Sequence, residues 1–180
     1  MQTKKGFEIH TPDTAPEGSR EIANAVLKAF GGTLPNLVGV LAGSPEAIQA
    51  SAALSQLVDR TSLSPIERQI LELAVSRENH CDYCLAANTF LSRRLPQQPI
   101  QATRAGTRIE DPKLETLRQF AIELVAKQGH VSAEGRAEFR KAGYTERQAL
   151  EVIVVVGLKT IHNLVNNLAD TPVDALFTRA

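Results

Sequence analysis

Apolar residues recur along most of this chain at intervals of three and four, the pattern of helices that bury one face. In "SREIANAVLKAFGG" the stripe is Ile22, Val26, Ala29 and Phe30, and Gly31-Gly32 predicts the stop. "TLPNLVGVLAG" reads as a turn-like or single-helix connector. Ser44 followed by Pro45, and Ser64 followed by Pro65, each predict an N-cap with proline at the first helical position. Glu67, three residues after Ser64, completes a capping box. Further helices are expected from Asp111-Pro112 to about Gly129, over "SAEGRAEFRKAG", and from a Thr145–Gln148 box through "NNLAD". In the last helix Leu150, Ile153, Val154, Gly157, Leu158, Ile161, Leu164, Val165 and Leu168 share one face. "EVIVVVG" is β-branched, but its period is helical. Residues 95–110, "LPQQPIQATRAGTRIE", read as a mobile loop holding at most half a turn of helix. The fold expected is all-α, a single compact domain over residues 1–180. It should hold six to eight helices behind an extended or loosely ordered segment 1–17.

Composition narrows the function classes. The 180 residues are 43% hydrophobic, enough for one sizeable core. Twenty basic residues balance twenty acidic ones, which argues against a nucleic-acid partner. No apolar run reaches the roughly 18 residues that span a bilayer, so no membrane role is expected. The polar start "MQTKKGFEIHTPDTAPEGS" is unlike a secretory signal, and the expectation is a cytoplasmic protein. Thiols stay reduced there, and a close cysteine pair points to redox or metal chemistry more than to a structural bridge.

Both cysteines lie in "VSRENHCDYCLAANTF", as Cys81-x-x-Cys84. Asn79 reads as the N-cap of a helix from His80, with Cys81 in its first turn and Cys84 in its second. Side chains three apart on a helix have Cβ atoms about 5–6 Å apart. A disulfide needs nearer 3.8 Å, so the pair can close with a local adjustment and reopen. A helix N-terminus favours thiolate, which predicts Cys81 as the more acidic and more exposed sulfur, at roughly 7.5. Two readings compete with a redox pair. One is a pair of small core residues. The other is half of a zinc site, which needs four ligands; the histidines His10, His80, His130 and His162 form no HxxxH pair.

The block "LSPIERQILELAVSRENHCDYCLAANTFLSRR" resembles the core of the alkylhydroperoxidase D-like branch of the carboxymuconolactone decarboxylase superfamily. "GGTLPNLVGVLAGSPEAIQA" and "GLKTIHNLVNNLADTPVD" are similar to the branch's upstream helix pair and C-terminal helix. The resemblance spans about residues 30–175. It implies an all-helical fold, assembly into a homo-oligomer (trimer, hexamer or dimer), and thiol chemistry on a peroxide or disulfide substrate. The reductant would be a dithiol protein or a small thiol, and neither cofactor nor metal is implied. By the same resemblance Cys84 attacks the substrate and Cys81 resolves.

The family pattern adds a Glu twelve residues before the first cysteine and a His four after the second. Here those positions hold Gln69 and Asn88, and a His two residues after the first cysteine is replaced by Tyr83. Gln and Asn do not titrate, so the proton relay is weakened or replaced. Candidate stand-ins are His80, beside Cys81; Glu67, unless its capping box occupies it; Tyr83, as a hydroxyl donor; and His162, in a polar patch with Asn163, Asn166 and Asn167. That patch predicts a buried network, a subunit contact or a site wall. The functional expectation is a thiol-dependent oxidoreductase, a peroxidase or disulfide reductase. Alternatives are a non-catalytic redox-sensing or metal-binding oligomer, and a lactone decarboxylase-like lyase. The lyase would need a cation in its pocket, for which Arg77, Arg93 and Arg94 are the nearest candidates.

Overall fold

Short polar caps set most of the helix starts. In the computed structural model, which describes residues 1–179, Ser44, Ser64, Asp111, Ser132 and Thr145 each accept a backbone N–H of the turn that follows them. These caps open α3 (Pro45–Asp59), α4 (Pro65–Glu78), α7 (Pro112–Ala126), α8 (Ala133–Lys141) and α9 (Glu146–Ala169). The capping boxes at Ser64–Glu67 and Thr145–Gln148 are both formed. Prolines precede α1 (Glu17–Ala29), α2 (Asn36–Leu41) and α6 (Gln97–Ala105). With α5 (Asp82–Leu91) and a closing 3-10 turn, Phe177–Arg179, the described residues hold nine α-helices, one more than the upper expectation. The excess is α6, read as a loop; α2 takes the single-helix form of the connector.

α6 corrects the loop reading of residues 95–110. Ile100 and Thr103 are fully buried on its inner side, and Gly106 ends it in the left-handed region at φ +74°. Nine residues with a proline inside give too few apolar positions for a period to show. The N-terminal segment lies against α2. His10 donates its backbone N–H to the Gly39 carbonyl at 3.0 Å, and Ile9 approaches so closely that a Cβ on Gly39 would meet its methyl at 2.6 Å.

α4 is the central helix, packed by α5, α6, α7 and α9. Its Leu71 joins Leu117 and Phe120 of α7, Phe139, Tyr144, and Val152, Val155 and Leu158 of α9 in the main core. Phe139 stacks between Phe120 and Tyr144, with ring centroids 4.1 and 4.7 Å apart. A second cluster packs Tyr83, Ala87 and Phe177 around the two cysteines.

α9 departs from its expected orientation. The buried face is Val152, Val155, Leu158, Lys159, Asn163 and Asn166, whereas Leu150, Ile153, Leu164 and Leu168 of the apolar stripe point outward. Hydropathy favours the stripe, but α3, α4 and α5 meet the other face, where polar groups are needed by the cysteines. By length and composition alone α9 is apolar enough to cross a membrane, which the count of uninterrupted apolar residues had missed. Its Lys159, Asn163 and Asn166 are packed inside the protein.

Candidate active site

The turn that carries the cysteines is built by the end of α4. Asn79 is the C-cap of that helix and not the N-cap of the next. His80 follows at φ +52°, and the backbone N–H groups of His80 and Cys81 donate to the carbonyls of Arg77 and Ser76 at 3.1 and 2.9 Å. This paired closure is a Schellman motif. It moves the start of α5 by two residues, and Cys81 itself becomes the N-cap. Its sulfur accepts the backbone N–H of Cys84 at 3.3 Å.

The expected exposure of the two sulfurs is reversed. Cys81 is fully enclosed at 0%, and Cys84, at 3%, lines a cavity of about 520 Å³. The cavity runs between α1, α2, α3, α4, α5 and α9. Ile22, Val26, Leu37, Leu41 and Ile48 give it apolar walls, and Gln69, Glu72, Asn88 and Lys159 form a polar end beside Cys84. Both thiols are free.

α9 supplies the polar surroundings of Cys84. Asn166 donates its side-chain N–H to the Cys84 sulfur at 3.2 Å. Asn163, fully buried, donates to the Ser76 hydroxyl at 3.2 Å and accepts from the Asn79 side chain at 3.0 Å. Asn167 donates to the Asn79 carbonyl at 2.7 Å. The expected polar patch is therefore a network, buried at Asn163 and Asn166 and exposed at Asn167, that clamps the α4–α5 turn. Lys159 Nζ lies 2.9 Å from Glu72 Oε2 and 3.2 Å from Asn88 Oδ1. Three buried polar atoms at this end have no protein partner: Gln69 Oε1, Asn88 Nδ2 and Asn166 Oδ1.

These contacts divide one proton between two thiols. A hydrogen bond from Cys81 pulls the Cys84 thiol below its ordinary range, and the Lys159 charge and the Asn166 and Asn163 amides outweigh burial. The same Cys81–Cys84 hydrogen bond, with burial, pushes Cys81 up. The helix N-terminus alone had favoured Cys81; the hydrogen bond between the two thiols, helped by the Lys159 charge and the α9 amides, reverses that order. His162 also lines the cavity. Burial, then the Lys159 charge, holds its imidazole down to about 3, so it stands neutral near pH 7 with Nε2 2.7 Å from the Ser51 hydroxyl.

Comparisons with solved structures agree with this arrangement of helices. A peroxidase-related protein from Ralstonia eutropha JMP134, described as an alkylhydroperoxidase AhpD core, superposes with a TM-score of 0.83 at 18% identity, over 95% of this chain and 93% of that one. A peroxidase-related protein from Silicibacter sp. TM1040 gives 0.81 at 21%, over 97% and 93%. The debrominase Bmp8, as a cysteine-to-alanine variant with 2,3,4-tribromopyrrole, gives 0.79 at 16%, over 99% and 96%. The chain has the alkylhydroperoxidase D-like fold. No family model matches the sequence, and no curated protein sequence matches it.

On this fold the residues singled out from sequence sort into three groups. Cys84, Gln69, Asn88, Tyr83 and His162 all line the cavity, with Cys81 hydrogen-bonded behind Cys84. Tyr83 is nonetheless committed elsewhere. Its hydroxyl donates to Asp174 Oδ2 at 2.6 Å and accepts from the Leu37 N–H at 3.2 Å, and burial, then Asp174, pushes it up. Two candidates are not at the site. His80 is exposed in its left-handed turn. Glu67 holds its capping box and accepts the Tyr144 hydroxyl at 2.9 Å. Nor do Arg77, Arg93 or Arg94 line the cavity. The cation there is Lys159, which sequence reading missed together with Glu72. A lysine inside "VVVGLKTIHNL", on the same face as Asn163 and Asn166, was the available signal.

Proposed function

We propose that this protein is a thiol-dependent oxidoreductase that reduces a peroxide at Cys84 and resolves through Cys81. The observation that carries the reading is a single one: Cys84 opens on the cavity with the Asn166 amide at its sulfur and the Lys159 charge in the same polar end, and Cys81 is hydrogen-bonded behind it. The Cys84 thiolate attacks one peroxide oxygen and the O–O bond breaks. Cys84 becomes a sulfenic acid, and the departing alkoxide takes a proton from the Lys159 ammonium. Cys81 then attacks the sulfenic sulfur, water leaves with the Cys81 proton, and the disulfide forms. Two equivalents of a small thiol, or one dithiol, reopen it and return the proton to Lys159. Lys159, held by Glu72 and Asn88, thus takes the part of the missing titratable relay. Such a cycle needs a thiol-rich compartment such as the cytoplasm.

A second reading has support in the size and apolarity of the cavity, which exceed what hydrogen peroxide needs. The same dithiol could reduce a small halogenated aromatic ring. Two thiols would become one disulfide while a halide leaves and a proton takes its place on carbon.

The test is turnover of cumene hydroperoxide with dithiothreitol, run beside bromide release from a bromopyrrole. Cys84→Ser should lose all turnover, and Cys81→Ser should no longer form the intramolecular disulfide and should turn over only as fast as dithiothreitol reaches the oxidised Cys84. Undiminished turnover of both substrates in Cys84→Ser would falsify both readings, and bromide release without peroxide loss would select the second.

A further inference from the structure

Oxidant and reductant must both reach the cysteine pair, and the fold offers one way in. Cys84 lines the cavity; Cys81 does not, and it is fully enclosed. Tyr83, Ala87 and Phe177 pack around the pair, and the Phe177 ring is held against Tyr83 and Phe90 at centroid distances of 5.9 and 5.6 Å. The Cys81 N–H donates to the Ser76 carbonyl at 2.9 Å, and the Cys81 carbonyl accepts the Leu85 N–H at 3.0 Å. The backbone is thus fixed on both sides of Cys81. Its sulfur is turned toward Cys84, whose N–H it accepts.

Thiol–disulfide exchange starts with a thiolate on one sulfur of the disulfide, and access decides which sulfur. A reductant that met the resolving thiol first would have to open the aromatic cluster around Cys81. Cys84 is reached without moving it, but only from inside the cavity, since it is 3% exposed. The cavity holds about 520 Å³, in the range of about 300–1,000 Å³ that takes small ligands. It admits a small thiol and not a cysteine fixed on a folded protein's surface.

We propose that the reductant of this protein is a low-molecular-weight thiol that enters by the substrate cavity and attacks Cys84, while Cys81 never meets a partner; the inference rests on the Cys84–Cys81 cycle proposed above. The first thiol bonds to the Cys84 sulfur and the Cys84–Cys81 bond breaks. Cys81 leaves with the proton that thiol brought, and a mixed disulfide stands on Cys84. A second thiol attacks the outer sulfur of that mixed disulfide. The Cys84 thiolate leaves, the second proton goes to Lys159, and the small disulfide departs with the two electrons' worth of oxidation. Oxidant and reductant therefore take turns at one sulfur and compete for one cavity.

The route also sets the slow step, because a thiol of lower pKa leaves faster. The hydrogen bond with Cys84, then burial, pushes Cys81 up, and the same hydrogen bond holds Cys84 down. The first exchange expels Cys81 and is slow; the second expels Cys84 and is fast. During turnover the protein waits as its internal disulfide.

Re-reduction of the disulfide made with diamide tests the route apart from the peroxide chemistry. 2-Mercaptoethanol and dithiothreitol should return both cysteines to alkylatable thiols, read by mass after an acid quench. Reduced thioredoxin should not, and thioredoxin lacking its resolving cysteine should not be captured as a mixed disulfide. Ala52 lines the cavity from α3, outside the cysteine cluster, so Ala52→Trp narrows the entrance. It should slow reduction by 2-mercaptoethanol several-fold in the folded protein, and Ala52→Leu should slow it less. Rapid reduction by thioredoxin, its capture on either cysteine, accumulation of 2-mercaptoethanol on Cys81, or a rate indifferent to both Ala52 variants would overturn the proposal. Failure of cumene hydroperoxide to form the disulfide that diamide forms would count against the peroxide cycle instead.

Discussion

Asn166 donates its side-chain N–H to the sulfur of Cys84 across 3.2 Å, from the last long helix to the first turn of α5. The bond favours the thiolate, because a full charge on sulfur is the better acceptor. Asn166→Ala should therefore raise the Cys84 pKa. Iodoacetamide alkylation of Cys84 as a function of pH, read by mass spectrometry, should show its midpoint moved upward and its rate at pH 7 reduced several-fold. An unmoved midpoint would mean that this amide does not set the thiol's acidity.

Lys159 and Glu72 form a buried ion pair at the polar end of the cavity. Removing one partner of such a pair leaves an uncompensated charge and typically costs about 3–5 kcal/mol. Lys159→Met should lower stability by that order in urea unfolding, whereas Lys159→Met with Glu72→Leu should recover most of it. If Lys159 is also the proton donor, the folded double variant should turn peroxide over about 10²–10⁴ times more slowly than wild type. Recovery of stability together with full turnover would remove Lys159 from the chemistry.

Tyr83 reads from sequence as a donor to the site and from structure as a strut. Its hydroxyl and the backbone N–H of Asn36 share the Asp174 carboxylate, which ties α5 and the start of α2 to the C-terminal segment. Tyr83→Phe leaves a buried acceptor short of one donor, at a cost of about 1–3 kcal/mol. Stability should fall by that amount while kcat for peroxide stays within about two-fold of wild type. A kcat loss of a hundred-fold with normal stability would return Tyr83 to the relay.

His162 predicts an acid limit. Burial, then Lys159, lowers its folded pKa to about 3, against about 6.5 when unfolded. Between those values the unfolded chain binds a proton that the folded chain does not, so stability is full above pH 6.5 and falls as the pH drops toward 3. His162→Gln should flatten this part of the Tm-versus-pH curve. A curve with the same slope in the variant would assign acid sensitivity to other groups.

What sequence determined here is local. The caps at Ser44, Ser64, Asp111 and Thr145 choose among backbone groups a few residues away, so their chemistry is complete within the segment. For the same reason the all-α class, the long helices, the cysteine pair and the capping role open to Glu67 were legible. Two local signals were too weak to read: α6 is short, and the end of α4 is fixed by a left-handed His80 where glycine would have announced it. Only tertiary structure decided which side of α9 faces inward, because a stripe of leucines and a stripe bearing Lys159 and two asparagines compete for the same core. The winner was set by what the cysteine turn needed from across the fold. That choice puts Lys159 beside Glu72 and Asn88, gives Cys84 the cavity, and leaves Leu150, Leu164 and Leu168 outside.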